Sequence, residues 1–143
     1  MAYGDAGNAM VVEEAVIIAG IGCRKGPTAT QVCEAISAAL TRAGVSGDVL
    51  GLIATAEFKG AEPGIIAAAS AFSLPLVVVP AADLESAAPR TVTHSERVVA
   101  LTGVPSVAEA AALAAGGGSA RLLAPRTVLG PVTCALATSE LAT

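Results

Sequence analysis

Two short stretches hold the residue types best suited to chemistry. GIGCRKG (Gly20 to Gly26) sets a thiol and two cations, Cys23, Arg24 and Lys25, among three glycines. TAEFKGAEPG (Thr55 to Gly64) brings together Thr55, Glu57, Lys59 and Glu62. Arg and Lys in such settings hold carboxylates or phosphates through charge-assisted hydrogen bonds. If the protein is an enzyme, Glu57 and Glu62 are the candidate general bases, with Lys59 or Arg24 stabilising oxyanion charge. Thr55, Glu57 and Lys59 alternate, so an extended backbone would put all three on one side. A solvated strand end with a local ion pair explains the same residues without a ligand.

The glycines also have two readings. Gly20 and Gly22 either form a sharp turn that lets a ligand approach the backbone, or let a helix pack closely on a strand. The standard phosphate signatures do not fit. A Walker loop needs Gly-Lys-Ser/Thr, whereas Lys25 precedes Gly26 and Pro27, and the dinucleotide fingerprint would need glycine at position 25. The three cysteines, Cys23, Cys33 and Cys134, lack CxxC spacing, and His94 is the single histidine. A structural zinc site has too few clustered ligands, so no metal or other cofactor is expected. A Cys–His pair would need Cys23 or Cys134 to meet His94, and an exposed first helical turn accounts for His94 more simply.

These residues need elements to position them. Ala15 to Ala19 is a β-branched apolar run, predicting a strand buried on both faces. Thr28 and Gln31 form a capping box for a helix whose apolar face is Val32, Ile36 and Leu40 and whose stop is Gly44. That helix start would aim partial positive charge at Arg24 and Lys25, at the carboxyl end of the strand. Val49 to Ala54 reads as a second strand, and Pro63 to Phe72 as an alanine-rich helix with Glu62 before its first turn. Leu76 to Val79 is a third strand, Asp83 to Ser86 a short helix, and Ala87 to Val92 a loop. Thr93 with Glu96 opens a helix through Leu101. Ser106 with Glu109 opens another over Val107 to Ala115, which gives Glu109 a purely structural task. Ala120 to Leu123 and Val132 to Ala137 are late strands, with Pro125, Arg126, Gly130 and Pro131 in a hairpin-like connection and Cys134 a core side chain.

Strands alternating with helices imply parallel crossovers, and the closing pair implies an antiparallel edge. The expected fold is α/β: a single-domain, three-layer α/β/α sandwich around a mixed, mainly parallel sheet. Residues 1–10 read as a flexible lead-in and 11–143 as the domain. The chain is 54% apolar but 2% aromatic, without Trp, so its core must be built from Ala, Val, Leu and Ile. The scarcity of aromatics and the net charge of −4 argue against nucleic acid as a partner. No apolar run approaches the roughly 20 residues of a membrane span, and the N-terminus has no signal-peptide pattern. No membrane partner is expected, and the unpaired thiols suit a cytoplasmic setting.

GIGCRKG, ATAEFKGAEPGI (Ala54 to Ile65), GVPSVAEAAALAAG (Gly103 to Gly116) and RLLAPRTVLGPVTCALA (Arg121 to Ala137) occur in this order and spacing. Together they resemble the cobalamin-biosynthesis family formed by CobE and the C-terminal domain of CbiG, over nearly all of the chain after Val11. As one domain it is similar to the stand-alone member of the aerobic route, because CbiG carries further N-terminal domains. The resemblance implies an α/β fold and work on precorrin or corrin intermediates. For CbiG it implies lactone opening with loss of a two-carbon fragment. For the stand-alone member a carrier or accessory role fits, alongside other enzymes of the pathway.

A macrocycle of this class bears many carboxylate arms. The substrate-binding set expected for it is Gly20, Gly22, Cys23, Arg24, Lys25, Gly26, Thr55, Lys59 and Arg126. Three roles follow: a binding or carrier protein, an enzyme on the macrocycle using Glu57 or Glu62, or a structural subunit whose glycine turn is covered by a partner.

Overall fold

The computed structural model describes residues 15–24, 26–60, 62–92 and 106–140. The expected helix from Thr93 to Leu101, with His94, and the side chain of Lys25 lie outside them. Six strands form one mixed sheet. They are β1 (Ala15–Cys23), β2 (Leu50–Ala56), β3 (Leu76–Val79), β4 (Arg121–Leu122), β5 (Thr127–Leu129) and β6 (Val132–Glu140). Among the described residues the α-helices are α1 (Ala29–Ala43), α2 (Pro63–Ala71), α3 (Ala81–Ala87) and α4 (Val107–Gly116).

The strand order is β3-β2-β1-β6-β4, and β5 also pairs with β6. β1, β2 and β3 are parallel, whereas β6 runs antiparallel to β1, β4 and β5. This is the mixed sheet with an antiparallel C-terminal edge that the element order predicts. β1 is its centre. It pairs with β6 along its whole length, from Ala15 opposite Glu140 to Cys23 opposite Val132.

That long pairing corrects the first strand. β1 does not stop at Ala19; it continues through Gly20 and Gly22 to Cys23, because β6 supplies ladder partners to its end and β2 does so as far as Ile21. The turn glycine is Gly26, with φ of 71°, a conformation that L side chains adopt only at a cost. The connection after Leu123 is likewise more ordered than expected. Thr127–Leu129 is a strand, and Gly130-Pro131 makes a two-residue hairpin turn into β6.

Side chains alternate across β1 into two separate cores. Ile17, Ala19 and Ile21 join Val32, Ala35 and Ile36 of α1 and Ile65 and Ala68 of α2. Ile18 lies on the other face, with Leu84 of α3 and Ala110, Ala111 and Leu113 of α4. Helices thus cover both faces of the sheet. Alanine replaces aromatic bulk in these layers, so the helices must approach closely. Gly20 is where the approach is tightest: a β-carbon built there would strike the Ala108 carbonyl oxygen and lie 2.8 Å from Ala112 Cβ. Close packing, by α4 rather than by the helix next in sequence, is what Gly20 serves.

The capping chemistry of α1 matches its residues. Thr28 Oγ1 accepts from the Gln31 N–H at 3.1 Å, and Gln31 Oε1 accepts from the Thr28 N–H at 2.9 Å. Gly44 ends the helix with φ of 72°.

Candidate functional site

The site is a corner at the carboxyl ends of β1 and β2. Cys23 is the last residue of β1 and is partly buried against the first core. β2 ends at Ala56, and Glu57–Lys59 then makes one 3-10 turn. This turn overturns the expected alternation: the backbone is coiled, so Thr55, Glu57 and Lys59 do not share a side. Lys59 turns to Glu62 instead, with Nζ 3.8 Å from Oε2 and the two side chains 23% and 21% exposed.

Lys59 and Glu62 both act on Cys23. Burial pushes the Cys23 thiol above its ordinary value, the Lys59 ammonium pulls it down, and the Glu62 carboxylate adds to the rise. A thiol, an ammonium and a carboxylate from two chain segments therefore meet within electrostatic reach. The raised thiol stays protonated at neutral pH and is a weak nucleophile.

Two helix starts frame the corner. A β-carbon on Gly64, in the first turn of α2, would fall on the Pro27 carbonyl oxygen. Only glycine lets α2 come this close to the segment entering α1. Glu62 is the N-cap residue of α2, as its place before Pro63 predicts, but its side chain makes no capping hydrogen bond. Positive ends of two helix dipoles consequently lie beside Lys59 and Cys23.

Arg24 reaches across β1 to the β5–β6 turn. Its main-chain N–H donates to the Pro131 carbonyl at 2.9 Å and Nη2 to the Gly130 carbonyl at 3.0 Å. The guanidinium is exposed and anchored, with donors left over. Gly26 has open space where a β-carbon would stand, so room exists beside the turn.

Other expected members lie elsewhere. Gly20 is covered by α4, and Gly22 sits within the strand, facing Ala108 at ordinary contact distance. Neither offers its backbone to a ligand. Thr55 is fully buried and donates its hydroxyl to the Ile21 carbonyl at 2.8 Å, so it holds β2 to β1. Arg126 is also away from the corner. It precedes β5, which lies beyond β6, roughly 10 Å across the sheet from β1 at ordinary strand spacing. Glu57 is exposed on its turn.

Glu109 has a larger task than capping. Ser106 accepts from the Glu109 N–H at 3.4 Å, as expected. The carboxylate, fully buried, accepts from the Val92 N–H at 2.9 Å and the Arg126 N–H at 3.0 Å. The signal was a lone acid within the otherwise uncharged run VAEAAALAA, a context in which an ionised group needs buried partners.

Among the described residues, no group of three or more His, Cys, Asp or Glu is placed to hold a metal ion. None of the described helices is long and apolar enough to cross a membrane.

Comparison with known proteins agrees with this architecture. A family model described as "Cobalamin synthesis G C-terminus" matches residues 17–137. Protein CobE of Sinorhizobium sp is 39% identical over 121 residues, spanning 85% of this chain and 79% of that protein. The crystal structure of CobE, a protein from the cobalamin (vitamin B12) biosynthetic pathway, superimposes with a TM-score of 0.82 at 34% identity. That match covers 90% of this chain and 94% of CobE. The cobalamin biosynthesis protein chiG from Agrobacterium tumefaciens gives a TM-score of 0.70 at 45% identity, over 87% of this chain and 98% of chiG. With the family model spanning nearly the whole described domain, the chain belongs to the CobE/CbiG C-terminal family of cobalamin biosynthesis.

Proposed function

We propose that this protein binds a corrin-ring, precorrin-type intermediate by its carboxylate arms and serves the aerobic route as a carrier or accessory protein. The carrying observation is the corner itself. Lys59 and Cys23 lie within electrostatic reach of each other beside the starts of α1 and α2, and Arg24 follows Cys23 with its guanidinium anchored on the β6 side, at the Gly130 carbonyl. Cations and helix N-termini suit a ligand bearing several anionic arms. The ring would lie over the β1–β2 ends, with Arg24 and Lys59 engaging separate arms.

The chemistry at the corner favours binding over turnover. The Cys23 thiol is held protonated, and Glu62 is engaged by Lys59. Glu57 stands on an exposed turn, without the water exclusion that makes a base effective. The alternative is a hydrolase that opens a ring lactone, and it would need Glu62 released from its ion pair. Free thiols at Cys23, Cys33 and Cys134 support a cytoplasmic setting among other enzymes of the pathway.

The test is a visible-absorbance titration with metal-free corrin intermediates, followed by mass spectrometry of the recovered ligand. A stoichiometric spectral change with unchanged mass is expected. A changed mass under catalytic amounts of protein would make it an enzyme, and no spectral change with any intermediate would overturn the binding reading.

A further inference from the structure

Glu62 occupies an unusual position. As the residue before Pro63 it stands where a side chain normally caps a helix, yet it leaves α2 uncapped and faces Lys59. The pair is loose, at 3.8 Å between charged atoms, and both side chains keep about a fifth of their surface in water. A contact of this length and exposure contributes little to stability. It does neutralise Lys59, which has no other acidic partner among the described residues. A ligand carboxylate approaching Lys59 must therefore meet Glu62 first.

Resting on the binding reading above, we infer that Glu62 is a built-in carboxylate that occupies Lys59 in the empty site and is displaced by an acid arm of the ligand. Displacement does not strand the Glu62 charge. The side chain remains at the N-terminus of α2, where the helix dipole favours an anion. An amide arm brings no charge and cannot replace Glu62, so the pair stays closed. The corner accordingly distinguishes ligands with free acid arms from those whose arms have been amidated. Glu62 acts here as a specificity-determining residue, a role opposite in sign to that of a general base.

The experiment compares wild type, Glu62→Gln, Lys59→Met and the double variant. Each is titrated by absorbance with cobyrinic acid, whose arms are acids, and with the same corrinoid amidated. Glu62→Gln is expected to bind the acid form about twofold to fivefold more tightly, since it removes the ion-pair competitor for Lys59. Its affinity for the amidated form should be unchanged. Lys59→Met should abolish the gain, leaving the double variant equal to Lys59→Met alone. If Lys59→Met weakens binding but Glu62→Gln leaves acid and amide affinities as in wild type, the displacement idea fails and the site stands. Should Glu62→Gln weaken acid binding, Glu62 is a ligand contact and the inference is wrong. If wild type binds neither form, the binding reading itself falls and this inference with it.

Discussion

Glu109 Oε2 accepts the main-chain N–H of Arg126 at 3.0 Å, and Arg42 Nη1 donates to the carbonyl of the same residue at 3.1 Å. The Arg126 peptide is thereby held from both sides, by α4 on one face of the sheet and by α1 on the other. The second Glu109 oxygen holds Val92, so one buried carboxylate ties two segments that are remote in sequence. Glu109→Gln keeps the shape but turns a donor toward one of these N–H groups. It is expected to cost about 1–3 kcal/mol, the penalty for a buried donor left without its acceptor. Glu109→Leu, which strands both, should cost more. Urea unfolding measures the difference; a wild-type midpoint for both variants would show the carboxylate to be idle.

The glycines of β1 separate steric need from chance. Gly20→Ala must push α4 away from the sheet, because backbone rather than a flexible side chain blocks the β-carbon. A loss of roughly 1–3 kcal/mol is expected, as for other overpacked cores. At Gly22 the nearest atom would lie at 3.6 Å, so Gly22→Ala should be nearly neutral. Equal losses in denaturant titrations would contradict this account of α4 packing.

What the sequence made legible divides along physical lines. Local signals carried well: the Thr28–Gln31 box and Gly44 stop define α1, and Pro75 and Pro80 bracket β3 at Leu76–Val79. Long-range pairing did not show. Gly20 looks like a turn residue until β6, more than a hundred residues later, extends the ladder to Cys23. β5 is three residues long and gains its strand character from pairing with β6. Within the candidate corner, sequence order alone places Cys23 at the end of β1, Arg24 just after it, and Lys59 and Glu62 just after β2. Thr55 and Arg126 were not correctly placed, since strand register and edge position decide which way a residue is used.

Cys134 predicts a pH dependence. Burial pushes its thiol from 9.0 to about 12. The folded state thus holds the proton that the unfolded chain releases near 9. This stabilising difference is fully present below pH 9 and is lost as pH rises toward 12. At pH 10 the loss is about 1.4 kcal/mol, one pH unit beyond the unfolded titration. Cys23 and Cys33 shift in the same direction. Urea midpoints measured from pH 7 to 10 should fall less steeply for Cys134→Ala than for wild type. Parallel curves would mean that the thiol does not carry the effect.

Arg24 and Lys59 give the most direct test of where the ligand sits. Arg24 is anchored at the Gly130 carbonyl and Lys59 stands beside Cys23, so the two cations project from the ends of adjacent strands. Arg126 precedes β5, beyond β6 and two strands away from the end of β2 that carries Lys59. Changing Arg24 and Lys59 together to Ala is expected to weaken binding of an acid-armed corrinoid by at least about tenfold at low salt, one charge-assisted contact or more. The deficit should shrink as salt is raised, since partly exposed charges are screened. Arg126→Ala should bind within about twofold of wild type, because the distance leaves it only a weak, screened interaction. If the double variant binds like wild type and Arg126→Ala does not, the ligand occupies the β5 edge and the corner at β1 and β2 has another use.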